Sequence, residues 1–246
     1  MKKKNTNWIY PLFIIGLLFI LATSCKKKDD NTTNDPPPAN TVTDIDGNVY
    51  HYVTIGTQVW MLENLKVTKY RNGDAIPVIT DNTDWYNLST GAICNYNNNP
   101  ANSTTYGKLY NWYAANDSRK ICPAGWHVPS DAEWKVLAKY LDNNTDTTDS
   151  GEIGVDIGIK LKESGTTHWH SPNPGANNSS GFTALPGGWR DIDGTFNSIG
   201  DVGGWWTITT ASTSTAWRLC LRFDVSTLNR NSGYKRGGFS IRCIKD

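Results

Sequence analysis

Cys122-Pro123-Ala124-Gly125-Trp126-His127-Val128-Pro129-Ser130-Asp131-Ala132-Glu133-Trp134 is the stretch on which the reading of the fold turns. Ser130 and Glu133 have the spacing of a capping box, in which the hydroxyl and the carboxylate each accept from the other residue's backbone amide. A helix therefore starts just after Ser130. Trp134, Leu137, Ala138 and Leu141 recur at three- and four-residue steps and give that helix one buried stripe, ending near Leu141.

The rest follows outward from this helix. Upstream, Tyr106 to Asn116 (YGKLYNWYAAN) sets Leu109, Trp112 and Tyr113 on one face and predicts a second helix. Val42 to Gly56 alternates on both sides of Asp46-Gly47-Asn48, which predicts a hairpin on a tight turn. Thr57 to Leu65 continues as a further strand, and Asn- and Gly-rich loops run to about residue 105. Beyond residue 150 the chain reads as short strands and loops: Phe182 to Arg190, Gly203 to Thr207, Ala216 to Val225 and Gly238 to Ile244. In the last of these Phe239, Ile241 and Cys243 face one way and Ser240 and Arg242 the other, with Ile244 breaking the alternation. One α+β domain, with two helices, short antiparallel strands and long loops, is expected over residues 42–246; no repeat divides it.

The N-terminus has another character. Lys2, Lys3 and Lys4 precede an apolar run from Trp8 to Ala22, followed by Thr23-Ser24-Cys25. A basic start, an apolar stretch of about 15 residues and small residues read as an export signal; a bilayer-crossing helix needs roughly 20. Leu21-Ala22-Thr23-Ser24-Cys25 resembles a lipobox, so residues 1–24 are expected to be removed and Cys25 to carry lipid. An uncleaved N-terminal anchor is the alternative. Residues 26–41 contain Pro36, Pro37 and Pro38 and no large apolar side chain, the composition of a flexible tether. Lys28-Asp29-Asp30 resembles the signal that sends Bacteroidetes lipoproteins to the cell surface, so the expected location is the outer membrane, lipid-anchored.

Composition narrows the role. The full chain of 246 residues carries a formal charge of +1; without the three N-terminal lysines, 21 basic residues face 23 acidic ones. That balance lacks the basic field nucleic-acid binding requires. Eleven Trp and eleven Tyr among 22 Gly suit short strands and ordered loops, the Trp serving as core or as stacking surfaces for sugars.

Trp60-Met61-Leu62-Glu63-Asn64-Leu65, Tyr106-Gly107-Lys108-Leu109-Tyr110-Asn111-Trp112, the Cys122–Trp134 stretch, Gly181-Phe182-Thr183-Ala184-Leu185-Pro186-Gly187-Gly188 and Gly238-Phe239-Ser240-Ile241-Arg242-Cys243 occur in this order. Over residues 43–246 they resemble the Fibrobacter succinogenes major paralogous domain. That family is similar in turn to the C-type lectin-like fold and to the domain of formylglycine-generating enzyme. The resemblance implies a C-type lectin-like fold more firmly than any activity.

Lipidation of Cys25 leaves Cys94, Cys122, Cys220 and Cys243, which allow three connectivities or free thiols. The resemblance implies Cys122 with Cys243, leaving Cys94 with Cys220. No CxxC spacing marks a zinc site. His168-Trp169-His170, with Glu163 upstream, offers two imidazoles without a third ligand, and reads as a surface loop. His127 is expected to pack and hydrogen-bond. No nucleophile elbow, zincin motif or phosphate loop occurs, and the catalytic cysteines of formylglycine-generating enzyme have no clear counterpart. No enzyme activity, cofactor or metal is expected. Asp191, Asp193 and Asp201 could offer calcium oxygens, but Asp191-Ile192-Asp193-Gly194 reads first as a turn. Pro172-Asn173-Pro174 only grazes the calcium-dependent lectin pattern.

The expected role is a surface-anchored, non-catalytic binding or adhesion module for a glycan or protein ligand. Trp169, Trp189, Trp205, Trp206 and Trp217 are its candidate contacts. A structural envelope protein with every Trp buried is the alternative, and an enzyme related to formylglycine-generating enzyme ranks below both.

Overall fold

A computed structural model describes residues 40–148 and 150–246. The signal, Cys25 and the tether lie outside the described residues. Along the chain come β1 (Thr41–Thr43), β2 (Val49–Ile55), β3 (Gln58–Met61), α1 (Asn82–Tyr86), β4 (Ile93–Cys94), a short 3-10 turn (Tyr96–Asn98) and α2 (Pro100–Tyr106). Next are β5 (Leu109–Asn111), α3 (Trp112–Ala115), β6 (Trp126–His127), α4 (Asp131–Leu141), β7 (Gly151–Ile153) and α5 (Ile157–Leu161). The last third is all strand: β8 (Gly187–Arg190), β9 (Phe196–Ile199), β10 (Val202–Thr210), β11 (Thr215–Arg222), β12 (Leu228–Tyr234), β13 (Gly238–Phe239) and β14 (Ile244–Lys245).

The expected α+β class holds, with antiparallel pairing between all named strands. Among the described residues three sheets form, in the orders β1-β2-β3-β14-β6, β10-β11-β12-β7 and β4-β5-β13-β8-β9. The chain's last strands are thus inserted between earlier ones: β14 lies between β3 and β6, and β13 between β5 and β8.

Local signals explain several elements. The hairpin closes with Thr43 opposite Val49. Its turn is built on the Asp44 carboxylate, which accepts from the amides of Asp46 and Asn48 (2.9 Å each) and from Tyr50 Oη (2.7 Å). The capping box forms as read. Ser130 Oγ accepts from the Glu133 amide (3.2 Å) and Glu133 Oε2 accepts from the Ser130 amide (2.7 Å), while Trp134, Leu137 and Ala138 are buried.

The helix expected over Tyr106–Asn116 does not form. α2 stops at Tyr106 because Gly107 adopts φ 75° and presses on the preceding Trp-Met-Leu-Glu-Asn-Leu segment. A Cβ there would stand 2.7 Å from Asn64 Cβ and 2.9 Å from the Asn64 and Leu65 carbonyl oxygens, so only glycine fits. Leu109–Asn111 is then a central strand, and Asn111, fully buried, caps α3 by accepting from the Ala114 amide. The apparent helical spacing of Leu109, Trp112 and Tyr113 comes from a strand followed by one helical turn.

The closing segment also differs from expectation. Phe239, Ile241 and Cys243 enter one apolar cluster with Tyr50, Tyr110, Trp112 and Trp206. Ser240 and Arg242, on the face expected to be polar, are buried as well. That side faces a second cluster built from Trp60, Trp134, Trp169, Phe182 and Trp205. The terminal segment is therefore a partition between two cores, and Arg242 lies inside the molecule.

Cys122 and Cys243 form a disulfide, as the resemblance implied, whereas Cys94 and Cys220 are free, buried thiols. Cys94 belongs to a separate small cluster with Trp85 and Leu109, while Cys220 lies on β11 near Gly204, so the second pairing is overturned. The bond joins residues 121 apart, so Cys122→Ala/Cys243→Ala is expected to lose about 4 kcal/mol in equilibrium denaturation, by release of loop-closure entropy in the unfolded chain. A loss under about 1 kcal/mol would show that the packing of the terminal segment already supplies that restraint.

Candidate functional site

Three of the five tryptophans expected at a ligand surface are interior. Trp205 and Trp206 are 0% exposed and Trp169 is 1% exposed. Each indole N–H is satisfied internally: Trp205 donates to Asn64 Oδ1 (2.8 Å), Trp206 to the Tyr110 carbonyl (3.0 Å) and Trp169 to the Ala184 carbonyl (2.9 Å). Their rings complete the cores instead of facing a ligand. Trp217 is half-buried, but the Arg230 guanidinium lies 3.6 Å from its ring centre and is held there by Asp131 (2.7 and 2.8 Å). Trp189 is left.

Trp189 sits on β8, half-buried, with its indole stacked on Phe239 of β13 (6.4 Å between centroids, 17° between planes). It borders an open cleft of about 420 Å³ whose other walls are Asp191, Arg218, Ser232, Tyr234 and the floor residue Phe239. Small-molecule sites commonly occupy roughly 300–1,000 Å³. Phe239 is itself wedged edge-on against Trp206 (4.8 Å), so the floor is fixed by the core beneath it. Arg218 of β11 lies with its guanidinium 4.4 Å from the Phe239 ring centre, steered by Asn231 Oδ1, which accepts from Nε (2.8 Å). Gly233 of β12, which pairs with Ala216 two residues before Arg218, makes this possible. A Cβ there would come within 3.0 Å of Arg218 Cδ and 3.2 Å of the Trp206 ring. The rim bears Tyr234, 55% exposed, and Asp191 at the start of the β8–β9 turn.

Aromatic faces beside a carboxylate and a guanidinium suit a ligand with apolar patches edged by hydroxyls. Sequence reading picked out Trp189 but missed Arg218 and Tyr234. The alternation of β11, with Ala216, Arg218 and Cys220 on one face, was the available signal for Arg218.

The acidic loop residues do not converge. The Asp191 carboxylate accepts from the Ile192 amide, Asp193 accepts from the Thr195 amide and hydroxyl, and Asp201 pairs with His170 (2.8 Å). The turn expected at Asp191–Gly194 closes through the Gly194 amide on the Asp191 carbonyl (3.1 Å). His168 bonds Glu163 (2.9 Å), so the two imidazoles of His168-Trp169-His170 serve different acids. Burial pushes the Cys94 thiol up to about 12 and raises that of Cys220, so neither is a ready nucleophile.

His127 has the packing and hydrogen-bonding role expected of it, and it has two partners. Nε2 meets Glu133 Oε1 (2.7 Å) and Nδ1 meets Asp246 Oδ1 (2.6 Å), joining the start of α4 to the C-terminal residue. Partial burial opposes the imidazolium, but the hydrogen bonds and charges of Asp246 and Glu133 outweigh it, and His127 is held above its ordinary value. Glu133 is lowered overall: burial acts against the carboxylate, and donation from Ser130 and His127 overcomes that.

A raised imidazole contributes stability that is complete below its unfolded value, near 6.5, and lost as pH rises through the folded value. The depressed Glu133 contributes above its unfolded value, and its share is lost as pH falls through the folded one. His127→Gln should therefore lower the melting temperature more at pH 6 than at pH 9; an equal loss at both would show that the clamp carries no charge.

A family model described as the Fibrobacter succinogenes major domain matches residues 53–245, from within β2 to β14. No curated protein and no solved structure matches the chain. The match spans most of the chain and all of the motifs from Asn64 to Cys243, including every wall of the cleft, and this chain belongs to the Fibrobacter succinogenes major domain family.

Proposed function

We propose that the chain is a lipid-anchored, non-catalytic binding module of the outer membrane, displayed at the cell surface, with a C-type lectin-like fold and a glycan ligand seated in the Trp189 cleft. The observation that carries this reading is the cleft itself. A half-buried indole, a fixed aromatic floor and opposed acidic and basic side chains stand together in a pocket of about 420 Å³. Sugar rings offer apolar C–H faces for such an indole and hydroxyls for such polar groups.

The lectin-like arrangement is supported by the Cys122–Cys243 bond, which ties the segment before α4 to the end of the chain. Anchorage is supported by the sequence around Cys25, and no helix among the described residues is long and apolar enough to cross a membrane. A non-catalytic role is supported by the engagement of His51, His127, His168 and His170 with carboxylates and by the burial of both free thiols.

The test is a glycan array probed with the full chain in detergent, with Trp189→Ala as control. Retention of a glycan class that Trp189→Ala loses at least tenfold is the expected result, in line with the roughly 1.5 kcal/mol that a stacked aromatic supplies. Retention unaffected by Trp189→Ala would move the site elsewhere, and an array without any retained glycan would refute the reading.

A further inference from the structure

Resting on that reading of the cleft, we infer that its ligand is an acidic sugar, a hexuronate whose carboxylate is held by Arg218. Arg119, Arg222 and Arg230 pair with aspartates. Arg71, Arg190, Arg236 and Arg242 each give at least one terminal nitrogen to a carbonyl oxygen. Arg218 differs from all of these. Its Nε is committed to Asn231, and among the described residues neither terminal nitrogen has an acceptor and no carboxylate reaches it.

This guanidinium is nevertheless fixed in place. Stacking on Phe239, the bond to Asn231 and the space left by Gly233 hold it at the cleft wall before any ligand arrives. A fixed planar fork with two uncommitted nitrogens is matched by a carboxylate, which accepts both hydrogen bonds at once. Little side-chain entropy remains to be lost on binding.

Asp191 limits what else the ligand carries. Among the described residues its carboxylate accepts only from the Ile192 amide, which leaves one oxygen for hydroxyl donors and sets a negative charge on the same cleft. A ligand with charge all round would be repelled there. A single carboxylate at one end and hydroxyls at the other satisfies both sides, with the ring's C–H face on Trp189. A hexuronate has that pattern.

Titration calorimetry with the full chain in detergent tests this, using galacturonate, glucuronate and mannuronate trisaccharides and their methyl esters, which keep every ring hydroxyl and remove the charge. At least one acid is expected to bind tenfold or more tightly than its ester, as a charge-assisted pair of hydrogen bonds would give. Arg218→Gln should erase that preference while keeping the affinity for the ester. Arg218→Lys should restore part of it, and Trp189→Ala should weaken acid and ester alike. Near-identical wild-type affinities for acids and esters would overturn the carboxylate inference and leave the sugar reading standing. Failure to bind any acid, any ester or any neutral glycan on the array would overturn both.

Discussion

Arg242 is buried to 0% exposure and forms no ion pair among the described residues, and the rest of the structure is arranged around replacing water at that cation. Asn64 Oδ1 accepts from its Nε (3.2 Å) and from one terminal nitrogen (2.9 Å), and the Phe182 carbonyl accepts from the other. The Phe182 ring lies 4.3 Å and the Trp205 ring 5.6 Å from the guanidinium carbon. Burial pulls the group's proton affinity down, so the cation persists only because these oxygens and ring faces replace water. Asn64 does more than receive Arg242. It accepts from Trp205 Nε1 and donates to the Tyr106 carbonyl (2.9 Å) and to Ser240 Oγ (3.3 Å). Segments around residues 64, 106, 205 and 240 therefore meet at one amide, and the segment around 182 joins them through Arg242. Those around 64, 106, 182 and 240 belong to the stretches whose order in the chain carries the family resemblance.

The same solution recurs. Arg190 gives its guanidinium to the carbonyls of Gly194, Ile79 and Thr80 and lies over Trp85. Lys162 gives its ammonium to the carbonyls of Arg222 and Val225, and burial brings it down to about 8. Each of these buried cations collects carbonyls from connecting loops or, at Arg222, from the end of a strand. This is how a chain with long irregular connections holds them in fixed positions. The cleft benefits directly: Phe239, its floor, stands three residues from Arg242, and Trp189 stands next to Arg190.

Legibility in the sequence followed the range of each signal. The capping box of α4 and the hairpin turn at Asp46-Gly47-Asn48 are short-range hydrogen-bond patterns; the box formed where the residues placed it, and the turn formed two residues wider, from Asp44 to Asn48. The stretch from Tyr106 to Asn116 misled because Leu109, Trp112 and Tyr113 satisfy a helical period, while the deciding contact, Gly107 against Asn64, is distant in sequence. Exposure of the tryptophans was illegible for a related reason. An indole in a Gly-rich strand reads the same whether its N–H finds an amide oxygen, as in Trp205, or borders solvent, as in Trp189. Burial of Arg242 was illegible because alternation identifies two faces without saying that both are covered.

A double-mutant cycle on Asn64 and Arg242, followed by equilibrium denaturation, tests most directly whether this cation organises the fold. Asn64→Leu alone strands a buried charge and should lose about 3–5 kcal/mol. Adding Arg242→Met removes that charge, so the double variant should lose less than the sum of the two single losses by at least about 1 kcal/mol. Losses that add within about 0.5 kcal/mol would contradict the account, because the two residues would then act independently.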